Sequence, residues 1–308
     1  MGCGQSKEMD EKERNERVGK LKIWKNRFPV CCKSINLSKE THSLVQYDAN
    51  QIFLGAKDEL QILDLKTDNI STFSTEHKGR INTLIKLNDG RIVSGGQDKT
   101  IKVWDIKSNK SLMTLTGHTS MIWSLCEING NKLLSGSSDK TALIWDLNKK
   151  KLDFELYKDK EITVVLQLKT GKVLICSENN LCLFDLDSKQ KLASIEVKTG
   201  IWAIRELKDG TVAIGQGNGD ISILEVDNDI KIKFVLKGHK KAINSIIQLD
   251  NYKVVTSGDE NNMILWDLKD PEAKFFIEGH TNKVSGLAHI GGNKFVSVSQ
   301  DKTLKVWE

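Results

Sequence analysis

Nothing in this 308-residue chain approaches the roughly 18 consecutive apolar residues that a membrane-crossing helix requires, and only 39% of its residues are apolar. The first 20 residues are dominated by charge and lack the apolar core of a secretory leader. Six cysteines (Cys3, Cys31, Cys32, Cys126, Cys176, Cys182) show neither disulfide-scaffold nor zinc-finger spacing. That predicts a reducing, cytosol-facing setting and no metal site. A basic excess in the body of the chain is missing as well. Of 46 basic and 41 acidic residues, nine and five fall in residues 1–33, leaving 37 and 36 for the rest. Nucleic-acid binders carry their positive charge on the domain itself, so no nucleic acid is expected as a partner. No unrepeated set of acid, base, nucleophile and metal ligand stands out, which argues against an enzyme, a cofactor or a small-molecule substrate.

What the chain does have is a beat. Trp-Asp falls at Trp104-Asp105, Trp145-Asp146 and Trp266-Asp267, and Trp307-Glu308 closes the series. Leu63-Asp64, Phe184-Asp185 and Leu224-Glu225 fill the gaps, giving spacings of 41, 41, 39, 40, 42 and 41 residues. A period near 40 with Gly-His upstream and Trp-Asp downstream reads as one four-stranded propeller blade per repeat. The third repeat shows how. After Gly117-His118, the runs Met121–Cys126, Lys132–Gly136 and Thr141–Trp145, and a fourth around Leu152-Asp153-Phe154, have the composition of strands. Asn129-Gly130-Asn131 and Ser137–Lys140 supply the turns.

These features resemble the WD40-repeat family over roughly residues 34–308, which implies an all-β, seven-bladed propeller. The family's buried tetrad joins the His of Gly-His, a Ser/Thr ten residues before the Trp, an Asp six before it, and the indole. The chain matches at His77, Ser94, Asp98, Trp104; at His118, Ser135, Asp139, Trp145; and at His280, Ser297, Asp301, Trp307. His239, Thr256, Glu260, Trp266 differs only in Glu for Asp, while repeats one, four and five lack both Trp and Gly-His. His, Ser and Asp also make up hydrolase triads. A triad occurs once and in a cleft, whereas this set recurs in one register, so a structural role is expected. His42 and His289 stand alone and read as surface or packing residues. The glycine-rich Gly215–Asp220 falls between two strands of repeat five and opens no helix, so it reads as a hairpin turn rather than a phosphate loop.

The last repeat stops after its third strand, at Trp307-Glu308. Propellers of this family close by lending an N-terminal strand to the last blade, and residues 34–40 are extended and free to do so. The chain thus divides into a tail, residues 1–33, and a propeller, residues 34–308.

The tail carries its own signal. Gly2 with Ser6 fits N-myristoylation, and Cys3 beside it suits palmitoylation. One myristoyl chain binds membranes only marginally, so a second signal is needed. Residues 7–28 read as a helix stopped by Pro29, with Glu8–Lys12, Asp10–Arg14, Glu13–Arg17 and Glu16–Lys20 as i,i+4 pairs. Arg17, Lys20, Lys22, Trp24, Lys25 and Arg27 lie in a stretch without acidic residues that ends at Lys33 and suits an anionic membrane surface, although the apolar face of Val18, Leu21, Trp24 and Phe28 suits packing on the propeller equally well. Cys31 and Cys32 fit either further acylation or the closing segment.

Together these features imply a non-enzymatic scaffold on the cytosolic side of a plasma membrane or endomembrane, with a cytosolic pool. Partner proteins would dock on the propeller face where each inner strand begins. Arg80, Met121, Trp123, Trp202 and Lys283 are the candidate contacts there, with Trp123 and Trp202 in one register. Two alternatives remain. A G-protein β-like subunit would need a longer coiled-coil helix than this tail offers. A ubiquitin-ligase receptor of the cullin type would carry Trp-Asp-x-Arg, whereas Lys107, Asn148 and Lys269 occupy the Arg position.

Overall fold

The computed structural model describes residues 29–74 and 76–308. Gly2, Cys3, Arg17, Lys20, Lys22, Trp24, Lys25, Arg27 and the helix expected over 7–28 lie outside the described residues. Within them the chain forms 28 strands, β1 to β28 in chain order, in seven four-stranded antiparallel sheets, and no helix. Blade three shows the plan: β10 (Ile122–Ile128), β11 (Lys132–Ser137), β12 (Thr141–Asp146) and β13 (Lys151–Lys158) pair in sequence order. The β10–β11 connection carries Gly130 and Asn131 at φ +81° and +57°. This is the left-handed conformation that an Asn-Gly-Asn hairpin supplies at little cost.

The inner strands are β2 (Thr41–Gln46), β6 (Ile81–Lys86), β10, β14 (Ile162–Gln167), β18 (Ile201–Glu206), β22 (Ile243–Gln248) and β26 (Val284–Gly291). Apolar cores fill the spaces between successive blades; one joins Val93 and Val103 of blade two to Ile122, Leu133 and Trp145 of blade three. Close approach needs glycine at the contact. A Cβ on Gly136 would lie 2.5 Å from Ile162 Cγ2 of the next blade. At the far end of the inner strands, side chains latch neighbouring blades. Glu127 Oε2 accepts from Asn88 N at 2.8 Å, and Glu206 Oε2 accepts from Lys169 N at 3.0 Å.

The ring closes through β1 (Cys31–Asn36), which pairs antiparallel with β28 (Thr303–Trp307), so the last sheet has the order β1-β28-β27-β26, with β27 spanning Lys294–Ser299. Ile35 is buried against Val296, Val298 and Leu304. Val30 and Glu308 exchange backbone hydrogen bonds of 2.9 and 3.1 Å, tying the described N-terminal segment to the C-terminal residue. The strand takes in Cys31, Cys32 and Lys33, and Lys33 reaches the Leu65 carbonyl at 2.8 Å and pairs with Asp68, although no acidic residue is near it in sequence.

Candidate functional site: the channel mouth

Four of the polar sets are assembled side chain to side chain. In blade two, His77 Nδ1 lies 2.8 Å from Asp98 Oδ2, His77 Nε2 lies 2.6 Å from Ser94 Oγ, and Trp104 Nε1 donates to that hydroxyl at 2.8 Å. Blade three repeats these distances at His118, Asp139, Ser135 and Trp145, and blade seven at His280, Asp301, Ser297 and Trp307 to within 0.1 Å. In blade six the longer Glu260 side chain reaches His239 only at 3.3 Å, while Thr256 keeps 2.8 Å to both His239 and Trp266. One proton arrangement satisfies every group. The indole N–H donates to the hydroxyl, the hydroxyl to Nε2, and Nδ1–H to the carboxylate, which requires a neutral imidazole.

Electrostatics agree. Burial pushes His118, His239 and His280 below the ordinary imidazole value, against the opposing pull of Asp139, Glu260 and Asp301. Burial alone would raise Asp301, yet hydrogen bonds from Thr303, the Thr281 N–H and His280 hold it at about 2. Burial likewise opposes ionisation of Asp98, and bonds from His77 and from the Lys78 and Thr100 backbone outweigh it, leaving the carboxyl well below its usual range. Ser94, Ser135, Thr256 and Ser297 are fully buried, so no substrate reaches their hydroxyls. These sets fasten the turns to the blades. Blades lacking them are filled differently. Gln61 bonds Glu59, which pairs with Lys39 at 3.0 Å, in blade one. In blade four Phe184 packs edge-on to Tyr157 at 5.2 Å.

A second pattern lies at the start of the inner strands. In all seven, pairing with the second strand slips by one residue at the same place, a β-bulge that releases His42, Asn82, Trp123, Thr163, Trp202, Asn244 or Ser285 from the ladder. Bulges re-aim side chains, and these seven, one from each blade, all line a single cavity of about 520 Å³ at one end of the central channel. Arg80, Asp259, Lys283 and Gln300 join them.

Side chains around this mouth are held in place. Arg80 donates through Nε to Asn82 Oδ1 at 2.8 Å, and its guanidinium carbon lies 5.6 Å from the centroid of the Trp123 ring. Trp123 Nε1 donates to Ser138 Oγ and Glu161 Oε1, both at 2.7 Å. Asn244 Nδ2 and Lys283 Nζ meet Asp259 Oδ1 at 2.8 and 3.4 Å. Thr163 and Ser285 bond carbonyls of the adjacent blade, Ile201 at 2.6 Å and Thr41 at 2.7 Å.

Of the contacts proposed from sequence, Arg80, Trp123, Trp202 and Lys283 come together at the mouth. The two tryptophans differ: Trp202 is 43% exposed, whereas Trp123 is half-buried with its N–H engaged. Met121 is not among the lining residues; its carbonyl accepts from Ser137 Oγ and Ser138 N. Sequence reasoning took His42 for a surface or packing residue and passed over Ser285. Their signal was positional, the residue following the first buried residue of each inner strand.

A family model described as "WD domain, G-beta repeat" matches residues 68–105, 109–146, 230–267 and 271–308. Each match runs from the outer strand of one blade through the third strand of the next, and the four together contain the four polar sets described above. No curated protein matches the chain. The chain is a seven-bladed β-propeller that contains WD40 repeats.

Proposed function

We propose that this propeller is a non-enzymatic scaffold that docks partner proteins at the channel mouth, and that acylation of Gly2 and Cys3 tethers it to the cytosolic side of a membrane. One observation carries the docking reading: seven bulges in one register direct a side chain from every blade into a single cavity. Bulged ladders forgo regular pairing, and the gain is a convergent surface with an exposed Trp and an ordered Arg, side-chain types that anchor interfaces.

The tether reading rests on Gly2, Cys3 and Ser6, with the basic stretch from Arg17 to Arg27 as a further signal. It is compatible with the fold. The chain reaches the propeller at Pro29, beside Gly291–Asn293, where β26 ends, whereas Lys283 at the mouth precedes the start of that strand. That attachment point lies at the end of the ring away from the mouth. Fractionation of Gly2→Ala tests the tether, and its persistence in the membrane fraction would refute it. Loss of partners from Trp202→Ala tests the docking face.

A further inference from the structure

The carboxylates around the mouth are already engaged by neighbouring side chains. Asp259 is engaged by Asn244 and Lys283, and Glu161 by Trp123 and Ser138. Two basic groups from successive blades remain without an acidic partner, His42 and Arg80, and Lys283 lies near them on Asp259. His42 forms no hydrogen bond among the described residues. Arg80 is oriented by Asn82 through Nε alone, which leaves its terminal nitrogens free to donate. Burial and the adjacent Arg80 and Lys283 push His42 below the usual imidazole value, against the pull of Glu40. Such like-charge crowding is what an incoming anion relieves. Across the mouth, three blades away, Trp202 lies against the backbone of Gly200 and Gly217, where an added Cβ would stand 3.3 and 3.4 Å from Nε1. Its outer face is exposed, and its N–H has no acceptor among the described residues.

We infer that the channel mouth receives an acidic segment of a partner protein, a carboxylate seated between His42 and Arg80 and an apolar side chain resting on Trp202. Arg80 is suited to the carboxylate because its planar fork is already oriented by Asn82 and by Trp123. Filling the site with an anion raises the affinity of His42 for a proton, so binding takes up a proton and tightens as pH falls. This inference rests on the mouth being the docking face.

The test selects a library of random short peptides on the immobilised full-length protein and measures the selected peptides against variants whose melting transitions match wild type. Enrichment of Asp or Glu together with an apolar residue in the same peptide is expected, with affinity falling about tenfold or more in Arg80→Gln. Binding should strengthen from about pH 7.5 to about pH 5.5, and His42→Gln should flatten that dependence. Peptides that require Trp202 but are neutral or basic would overturn the acidic assignment while leaving the docking face intact. Peptides indifferent to Trp202→Ala would overturn both.

Discussion

Trp123 and Trp202 occupy the same bulge in blades three and five, yet only the first has its indole N–H satisfied by neighbouring side chains. The difference comes from Glu161 and Ser138, which accept from Trp123, and from Arg80 stacked on its ring. One register therefore yields a fixed buttress and an open platform.

Substituting the two should separate stability from binding. Trp123→Ala removes a half-buried ring and the N–H that Glu161 and Ser138 share, so it should lower the unfolding free energy by about 2–4 kcal/mol. Trp202→Ala should change it by less than about 1 kcal/mol while weakening partner binding. Denaturant titration beside a binding assay checks both; equal destabilisation would contradict the distinction.

In the buried sets, the hydroxyl is the hinge of the network. Ser135→Ala strands the Trp145 N–H and His118 Nε2 and should cost about 1–3 kcal/mol, read as a lower denaturant midpoint at unchanged slope. Thr256→Ser keeps the hydroxyl and should lose only the effect of a methyl group.

Acid should destabilise the ring in two stages. His118, His239 and His280 bind protons less readily folded than unfolded, so stability is full above the ordinary value of 6.5 and declines as pH falls from there. Asp301 is held at about 2 against 3.8 unfolded, so its contribution is lost only as pH falls from 3.8 towards 2. Melting temperature against pH should begin to fall near 6.5 and steepen below 3.8. In a His118→Gln background the first stage should shrink.

Closure depends on β1. Removing residues 31–36 exposes the edge of β28 and uncovers the core under Ile35, and should abolish a single cooperative transition. Ile35→Ala should cost about 2–5 kcal/mol without that loss of cooperativity. An unchanged melting curve in the deletion would show that the ring closes without it.

Much of this architecture was legible in the sequence because its causes are local and repeated. A buried indole, hydroxyl, imidazole and carboxylate must satisfy one another, so Trp145 announces Ser135 ten residues back and Asp139 six back. The missing outer strand after Trp307 likewise points to a strand from elsewhere. The mouth was only partly legible. Its seven bulged positions hold His, Asn, Trp, Thr, Trp, Asn and Ser, with no shared chemistry, because the slip is imposed by backbone pairing between strands rather than by residue type. Whether a Trp there is open or clamped depends on Arg80 and Glu161, which come from the two flanking blades.

Docking at the channel mouth is tested most directly by proximity labelling with wild-type protein, Trp202→Ala, and Tyr252→Ala as a control. Tyr252 is similarly exposed but sits on the turn after β22, at the opposite end of the channel. Loss of partner labelling in Trp202→Ala and retention in Tyr252→Ala is the expected result. An unchanged set of labelled proteins in Trp202→Ala would contradict it.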